Sequence, residues 1–147
     1  MNAIAAINAY TNVSLESSVN GADPHKLISM LYQGALLEIA NAKNGIARKE
    51  TAAKGRSISR AIAIIGEGLN ASLDKSVGGK LALDLSSLYD YMVFRLVEAN
   101  LKNDIATLDE VARLLTELQG AWDSIRPQVM QSEPKASANA QRAYARA

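Results

Sequence analysis

Residues 23–35 read Asp23-Pro24-His25-Lys26-Leu27-Ile28-Ser29-Met30-Leu31-Tyr32-Gln33-Gly34-Ala35. This stretch predicts the start of a long helix, because Asp23 is a good N-cap and proline fits the first helical position. The apolar residues that follow step by three and four, as on one face of an amphipathic helix: Ile28, Leu31, Ala35, Ile39, Ala42 and Ile46. We expect this helix to end between Gly45 and Arg48.

A second apolar stripe runs beside the first on the same helix. It consists of Leu27, Met30, Gly34 and Leu37. Tyr32 lies near the margin of this double stripe. One core seam does not need so much apolar surface, so part of it is predicted to contact a partner.

Three more helices follow from the same spacing. The predicted ranges are Thr51–Leu73, Lys80–Leu101 and a helix that starts with a Thr107/Glu110 capping box and stops at Pro127. The predicted loops are Asp74–Gly79 and Lys102–Ala106. The last helix carries an apolar seam with coiled-coil-like spacing, made of Leu108, Val111, Leu115, Leu118, Trp122 and Ile125.

Four amphipathic helices with short connections predict an all-α fold, an antiparallel up-down four-helix bundle. The bundle is expected over residues 23–127. Residues 1–22 are predicted to be a short apolar N-terminal segment, and residues 128–147, rich in Ser, Ala, Asn and Gln, a mobile tail or a frayed helix. We expect residues 1–20 to act as a removable cover over a partner groove; the alternative is an ordinary disordered terminus.

Glycines within the second helix have two interpretations. Gly66 and Gly68 each cost about 1 kcal/mol relative to alanine in a helix interior. Either they permit close packing within the bundle, or they let a partner helix approach.

Composition excludes several classes of function. The formal net charge is +1, which argues against nucleic acid as the main ligand. No stretch is long and apolar enough to span a bilayer, and the N-terminus does not have the pattern of a secretory signal, so a cytoplasmic location is expected. The basic residues near the first helix–helix turn are expected to be a solvated end of the bundle, or else an acidic docking site: Lys43, Arg48, Lys49, Lys54, Arg56 and Arg60.

The sequence offers little for catalysis. With one histidine and no cysteine, a structural zinc site is excluded on ligand count, and nothing indicates another metal or a cofactor. His25 is expected to be a solvated first-turn residue, without a third group to complete a triad. The alternative is a four-helix phosphotransfer domain that uses His25, although Ile28 stands where such a motif needs lysine. We therefore predict that the chain is not an enzyme.

The third helix contains Ser87-Leu88-Tyr89-Asp90-Tyr91-Met92. Tyr89 and Tyr91 are two residues apart and cannot share one helix face. If Leu88 and Met92 face the core, at least one ring points elsewhere, and tyrosine is favoured at interfaces. The alternative for either ring, and for Tyr32, is core packing with a satisfied hydroxyl.

These segments together resemble the FliS family of flagellar secretion chaperones over about Tyr10 to Ile125. The matching residues near the N-terminus are Tyr10, Val13, Pro24, Leu27, Ile28, Met30, Leu31, Tyr32, Gly34 and Ala35. The later ones are Leu73-Asp74, Gly78-Gly79, Leu88-Tyr89-Asp90-Tyr91-Met92, Leu96, Ala99-Asn100 and Trp122. Asp23 replaces the more usual serine before the proline, and both residues are good caps.

The resemblance implies a cytosolic export chaperone that binds the C-terminal helical segment of flagellin and prevents its premature polymerisation. It also implies contact with the flagellar export gate, and a homodimer is possible when the chain is free. We predict that the residues that contact flagellin are Ile7, Tyr10, Met30, Tyr32, Tyr89, Tyr91 and Met92.

Overall fold

The fold is described from a computed structural model, in which the described residues are Ala9 and 23–125. Within them the chain is all-helical. The elements are α1 (Pro24–Ala47), α2 (Thr51–Ala63) with a π-helical continuation (Ile64–Asn70), α3 (Lys75–Lys102) and α4 (Ile105–Ser124). The predicted fold class is confirmed, while Pro127 and both predicted terminal segments, apart from Ala9, lie outside the described residues.

The start of α1 follows the sequence prediction. The Asp23 carboxylate accepts hydrogen bonds from the backbone N–H of His25 at 3.0 Å and of Lys26 at 3.4 Å, and Pro24 occupies the first turn. These bonds satisfy donors that a helix start otherwise leaves open. The helix ends at Ala47, within the predicted range.

Both boundaries of the connection between the second and third helices differ from the prediction. The second helix ends at Asn70 instead of Leu73, and its last seven residues are π-helical. The predicted loop Asp74–Gly79 is a helical turn, because the Asp74 side chain caps Ser76 and Val77 and starts α3 at Lys75. Gly79 then breaks the regular helix with φ 57° and ψ −135°, a backbone geometry that glycine adopts readily.

The predicted capping box of α4 was wrong. Asp104 is the N-cap, and its carboxylate accepts from the backbone N–H of Thr107 at 3.3 Å and from its hydroxyl at 2.9 Å. Glu110 does not reach back to the cap, because its carboxylate binds Arg95 Nε at 2.8 Å. The helix is therefore capped by Asp104, three residues before the predicted cap Thr107.

Side-chain contacts between helix ends establish the antiparallel arrangement. Lys54, at the start of α2, donates to the Asn100 carbonyl at the end of α3, and His25 of α1 contacts Trp122 of α4. Helices α1 and α3 each pack against α2, its π-helical continuation and α4, so α1 and α3 occupy opposite corners. The fully buried large apolar residues include Ile28, Ile39, Ile58, Ile65, Leu69, Leu96, Leu108 and Leu115.

The basic cluster is only partly solvated, which corrects the expectation for one member. Lys54 is buried, and its ammonium group donates to the Asn100 carbonyl at 2.9 Å and to Asn103 Oδ1 at 2.7 Å. This lysine satisfies acceptors at the C-terminus of α3, where a positive charge also complements the helix dipole.

Candidate functional site

A shallow groove runs along the surface between α2 and α3. It consists of two adjoining hollows of about 490 and 420 Å³, which share Ser59. Its floor on α2 and the π-helical segment is made of small residues at helical spacing: Ala52, Gly55, Ser59, Ala63 and Gly66. We call this feature the α2–α3 groove.

The floor of the groove is open to close approach from outside. A Cβ atom added at Gly55 or Gly66 would meet no atom within 4 Å. Gly68 differs, since its added Cβ would lie 3.1 Å from Leu31 Cδ2. Gly68 thus serves internal packing, whereas Gly66 leaves space at the surface, so each of the two interpretations fits one glycine.

An exposed apolar ridge on α3 borders the groove. Phe94, Val97 and Leu101 are 62%, 45% and 79% exposed and follow one another at helical spacing. Phe94 and Val97 each lie one turn after a residue that lines the groove, Asp90 and Val93 respectively. Large apolar residues grouped on one exposed face are typical of a binding surface.

The two hollows of the groove carry opposite charges. Arg56 and Arg60 line the hollow nearer the α1–α2 turn, with Arg60 close to the midpoint of the floor, and Glu67 and Asp90 line the other hollow. Asp90 accepts a hydrogen bond from Asn70 Nδ2 at 3.2 Å. The groove is therefore apolar and small-residue-lined along its length and polar at its ends.

Three of the residues predicted to contact the partner are in the core. Tyr32, Tyr89 and Met92 have no exposed surface, and the hydroxyls of the two tyrosines lie 2.6 Å apart. The mutual hydrogen bond lets both rings be buried without an unsatisfied hydroxyl. In this structure they join α1 to α3 across the bundle and present no surface to a partner.

Two other predicted contacts are exposed but far from each other. Met30 lies on the outer face of α1 with Leu37, and Tyr91 lies on α3 at the opposite corner. The Tyr91 hydroxyl donates to the Glu110 carboxylate at 3.1 Å, and this hydrogen bond raises the pKa of the phenol. The hydrogen bond from Arg95 lowers the pKa of Glu110. Ile7 and Tyr10 lie outside the described residues.

His25 is not solvated, contrary to the expectation from its place in the first turn. It is 2% exposed and stacks on Trp122, with ring centroids 4.7 Å apart and planes inclined by 8°. Its Nε2 donates to the Trp122 carbonyl at 2.7 Å, and Trp122 Nε1 donates to the His25 carbonyl at 2.9 Å. The imidazole therefore links α1 to α4. Its burial argues against a phosphotransfer role for His25.

The sequence prediction missed the α3 ridge, although a signal for it was available. The core stripe of α3 accounts for Leu85, Met92 and Leu96. Phe94, Val97 and Leu101 fall outside that stripe and yet repeat at intervals of three and four. Apolar residues that remain after a core stripe is assigned would have indicated this surface.

Two negative observations apply to the described part of the chain. None of its acidic or histidine side chains form a group of three or more that could hold a metal ion. None of the helices among these residues is sufficiently long and apolar to cross a membrane.

A small helical bundle with an exposed apolar groove and ridge offers the kind of surface on which helical segments of other proteins can bind. Comparison with known proteins gives the particular family. The profile of the family described as "Flagellar protein FliS" matches residues 6–129. The chain belongs to this family of flagellar secretion chaperones.

Several curated relatives support this assignment. The chain is 44% identical over 131 residues to "Flagellar secretion chaperone FliS" of Salmonella typhimurium, covering 89% of this chain and 97% of the relative. It is 47% identical over 125 residues to "Flagellar secretion chaperone FliSB" of Pseudomonas aeruginosa, covering 85% and 98%. It is 38% identical over 132 residues to the Bacillus subtilis chaperone of the same name, covering 90% and 93%.

Proposed function

We propose that this chain is a cytoplasmic export chaperone that binds the C-terminal helical segment of flagellin in the α2–α3 groove. Binding covers the segment, keeps flagellin from polymerising early and delivers it to the flagellar export apparatus. The family assignment supports the class of function, and the shape of the groove supports the mode of binding.

The single observation that carries the binding mode is the combination of the α3 ridge with the small-residue floor. Phe94 and Leu101 are 62% and 79% exposed, so most of each apolar side chain is accessible to a partner. Gly55 and Gly66 leave space beside them for the backbone of a helix. An amphipathic helix can place its apolar face against such a surface, which is a recurring mode of peptide recognition.

The other predicted contacts take different parts in this proposal. Tyr32, Tyr89 and Met92 support the site indirectly, because they fix α1 and α3 in the core. Met30 and Tyr91 stay predicted contacts, suited to parts of flagellin that extend beyond the groove. A long unfolded segment can wrap over several surfaces of a small chaperone.

The test compares two exposed apolar residues at opposite corners. Phe94 on α3 is 62% exposed and Leu37 on α1 is 61% exposed, so Phe94→Ser and Leu37→Ser remove similar exposed surface. Binding of a purified flagellin C-terminal segment is measured by calorimetry. We expect Phe94→Ser to weaken binding at least about tenfold, as loss of an interface anchor does, with little change in the melting temperature.

The control separates this site from the outer face of α1. If Leu37→Ser weakens binding and Phe94→Ser does not, the segment lies on α1 and the groove assignment fails. If the unaltered chain neither binds the segment nor delays flagellin polymerisation, followed by light scattering, the proposed function itself fails.

A further inference from the structure

The α2–α3 groove has about the length of a short helix. Its floor extends from Ala52 to Gly66, and a helix rises 1.5 Å per residue, so the floor is roughly 21 Å long. About four turns of a bound helix therefore fit between its ends. Both ends of that helix would lie next to charged side chains of the groove.

The charges at the two ends are available to a ligand. Arg56 and Glu67 are exposed and form no ion pair among the described residues. Arg60 forms an ion pair with the buried Glu38 at 3.7 Å, while its side chain stays 66% exposed. Asp90 is exposed and accepts one hydrogen bond from Asn70. All four side chains are therefore accessible from the groove.

A helix has a positive N-terminal end and a negative C-terminal end, each equivalent to about half an elementary charge. We infer that the α2–α3 groove orients the bound helix by charge, with its N-terminus beside Glu67 and Asp90 and its C-terminus beside Arg56 and Arg60. The bound helix thus runs antiparallel to α2 and parallel to α3. This inference rests on the proposed function and specifies the direction of binding.

The charges also define the chemistry of the bound segment. Side-chain charges in its terminal turns add to the dipole or oppose it. The groove fits a helix whose first turn is neutral or basic and whose last turn is neutral or acidic. A helix with carboxylates in its first turn and lysines in its last would be repelled at both ends in this direction.

Charge reversal tests the direction by the sign of its effect. The probe is a flagellin C-terminal peptide that contains the helical segment and is blocked at both ends. Arg56→Glu and Glu67→Lys should each weaken its binding by about two- to fivefold at low salt, the effect of one charge near a helix end. The effect should shrink at about 1 M salt. Glu117→Lys, an exposed reversal on α4, is the matched control and should leave affinity unchanged.

Crosslinking measures the direction of the bound helix independently of the affinity. The chain has no cysteine, so Gly55→Cys and Gly66→Cys each provide a single thiol for a photoreactive label, at positions where a side chain has room. Label at residue 66 should attach nearer the N-terminus of the peptide helix than label at residue 55. In a variant that reverses all four charges, Arg56→Glu/Arg60→Glu/Glu67→Lys/Asp90→Lys, this order should reverse, with affinity recovering towards that of the unaltered chain.

The outcomes separate this inference from the proposed function. Tighter binding by the single reversals, or the opposite order of crosslinks, overturns the stated direction but keeps the groove as the site. If Arg56→Glu and Glu67→Lys both leave the affinity for the peptide unchanged, charge does not orient the bound helix. Loss of binding with Phe94→Ser, measured in parallel, would still support the groove in either case.

Discussion

The hydroxyls of Tyr32 and Tyr89 show how one atom decides where a residue lies. Both tyrosines belong to stripes with apolar surface to spare, and both were predicted to contact a partner. Each ring is nevertheless fully buried, with a hydroxyl–hydroxyl distance of 2.6 Å. A buried hydroxyl costs free energy when it lacks a partner, and the pairing offsets that cost.

This pairing predicts a measurable coupling. Tyr32→Phe and Tyr89→Phe should each lower the free energy of unfolding by about 0.5–1.5 kcal/mol. The double variant should lose less than the sum of the two, with a coupling of at least about 0.5 kcal/mol in urea denaturation. Tyr91→Phe, whose hydroxyl is at the surface, should stay within about 0.5 kcal/mol of the unaltered chain. Strict additivity of the two core variants would contradict the pairing.

At the scale of the helices, Gly45 controls the distance between α1 and α2. A Cβ added there would lie 3.0 Å from the Lys54 Cα and Cβ atoms and 3.1 Å from its backbone nitrogen. Backbone atoms cannot move aside as a flexible side chain does. The two helices therefore approach this closely only because residue 45 has no side chain.

The same substitution should have opposite effects at two glycines. Gly45→Ala should destabilise the bundle by about 1–3 kcal/mol, since the crowding exceeds the gain in helix propensity. Gly55→Ala, where a Cβ meets no atom within 4 Å, should stabilise it by about 0.4–1 kcal/mol. Thermal and urea unfolding of both variants measure this. A stabilising Gly45→Ala would show that α1 and α2 can separate without cost.

The capping aspartates should make helix ends sensitive to acid. Bonds from the Thr107 hydroxyl and backbone lower the pKa of Asp104, and bonds from Ser76 and Val77 lower that of Asp74. A lowered folded-state pKa means that the stabilisation is present above the unfolded value of about 3.9 and is lost as pH falls through the folded pKa. Asp104→Asn should therefore be less stable than the unaltered chain at pH 7, with a difference that shrinks below about pH 4. A difference independent of pH would contradict this role of the carboxylate.

At the scale of the whole molecule, periodicity was sufficient to predict the helices but not to assign every apolar residue to the core or the surface. The α4 seam was correct, because Leu108, Val111 and Leu115 repeat without competing stripes. In α1, Ile28 is buried while Met30 is exposed, a choice that depends on where α2 and α4 pack. Contacts between residues that are distant in sequence could likewise not be predicted from periodicity.

His25 and Lys54 illustrate those distant contacts. His25 is buried because α4 ends beside it, and Lys54 is buried because α3 ends beside it. Neither neighbour can be identified from spacing within one helix. The candidate groove has the same origin, since its floor and ridge come from two helices whose pairing defines it.

Ala9 extends the fold to the N-terminal segment. It is fully buried, its carbonyl accepts from the Asp74 backbone N–H at 2.7 Å, and a Cβ on Gly78 would lie 2.9 Å from its Cα. Ala9 therefore has a fitted position at the start of α3. The role of residues 1–20 as a removable cover over a flagellin groove stays a prediction.

Ala9→Asp and deletion of residues 1–20 test this role. A carboxylate at residue 9 has no room and would be desolvated, so the segment should detach while α1 to α4 keep their packing. We expect cooperative unfolding to persist, with increased binding of an apolar dye or increased self-association, and altered affinity for the flagellin segment. Ala71→Asp, at an exposed alanine, should change none of these properties. If Ala9→Asp and the deletion both behave like Ala71→Asp, the segment is not a cover, because the apolar surface beneath it would already be accessible in the unaltered chain.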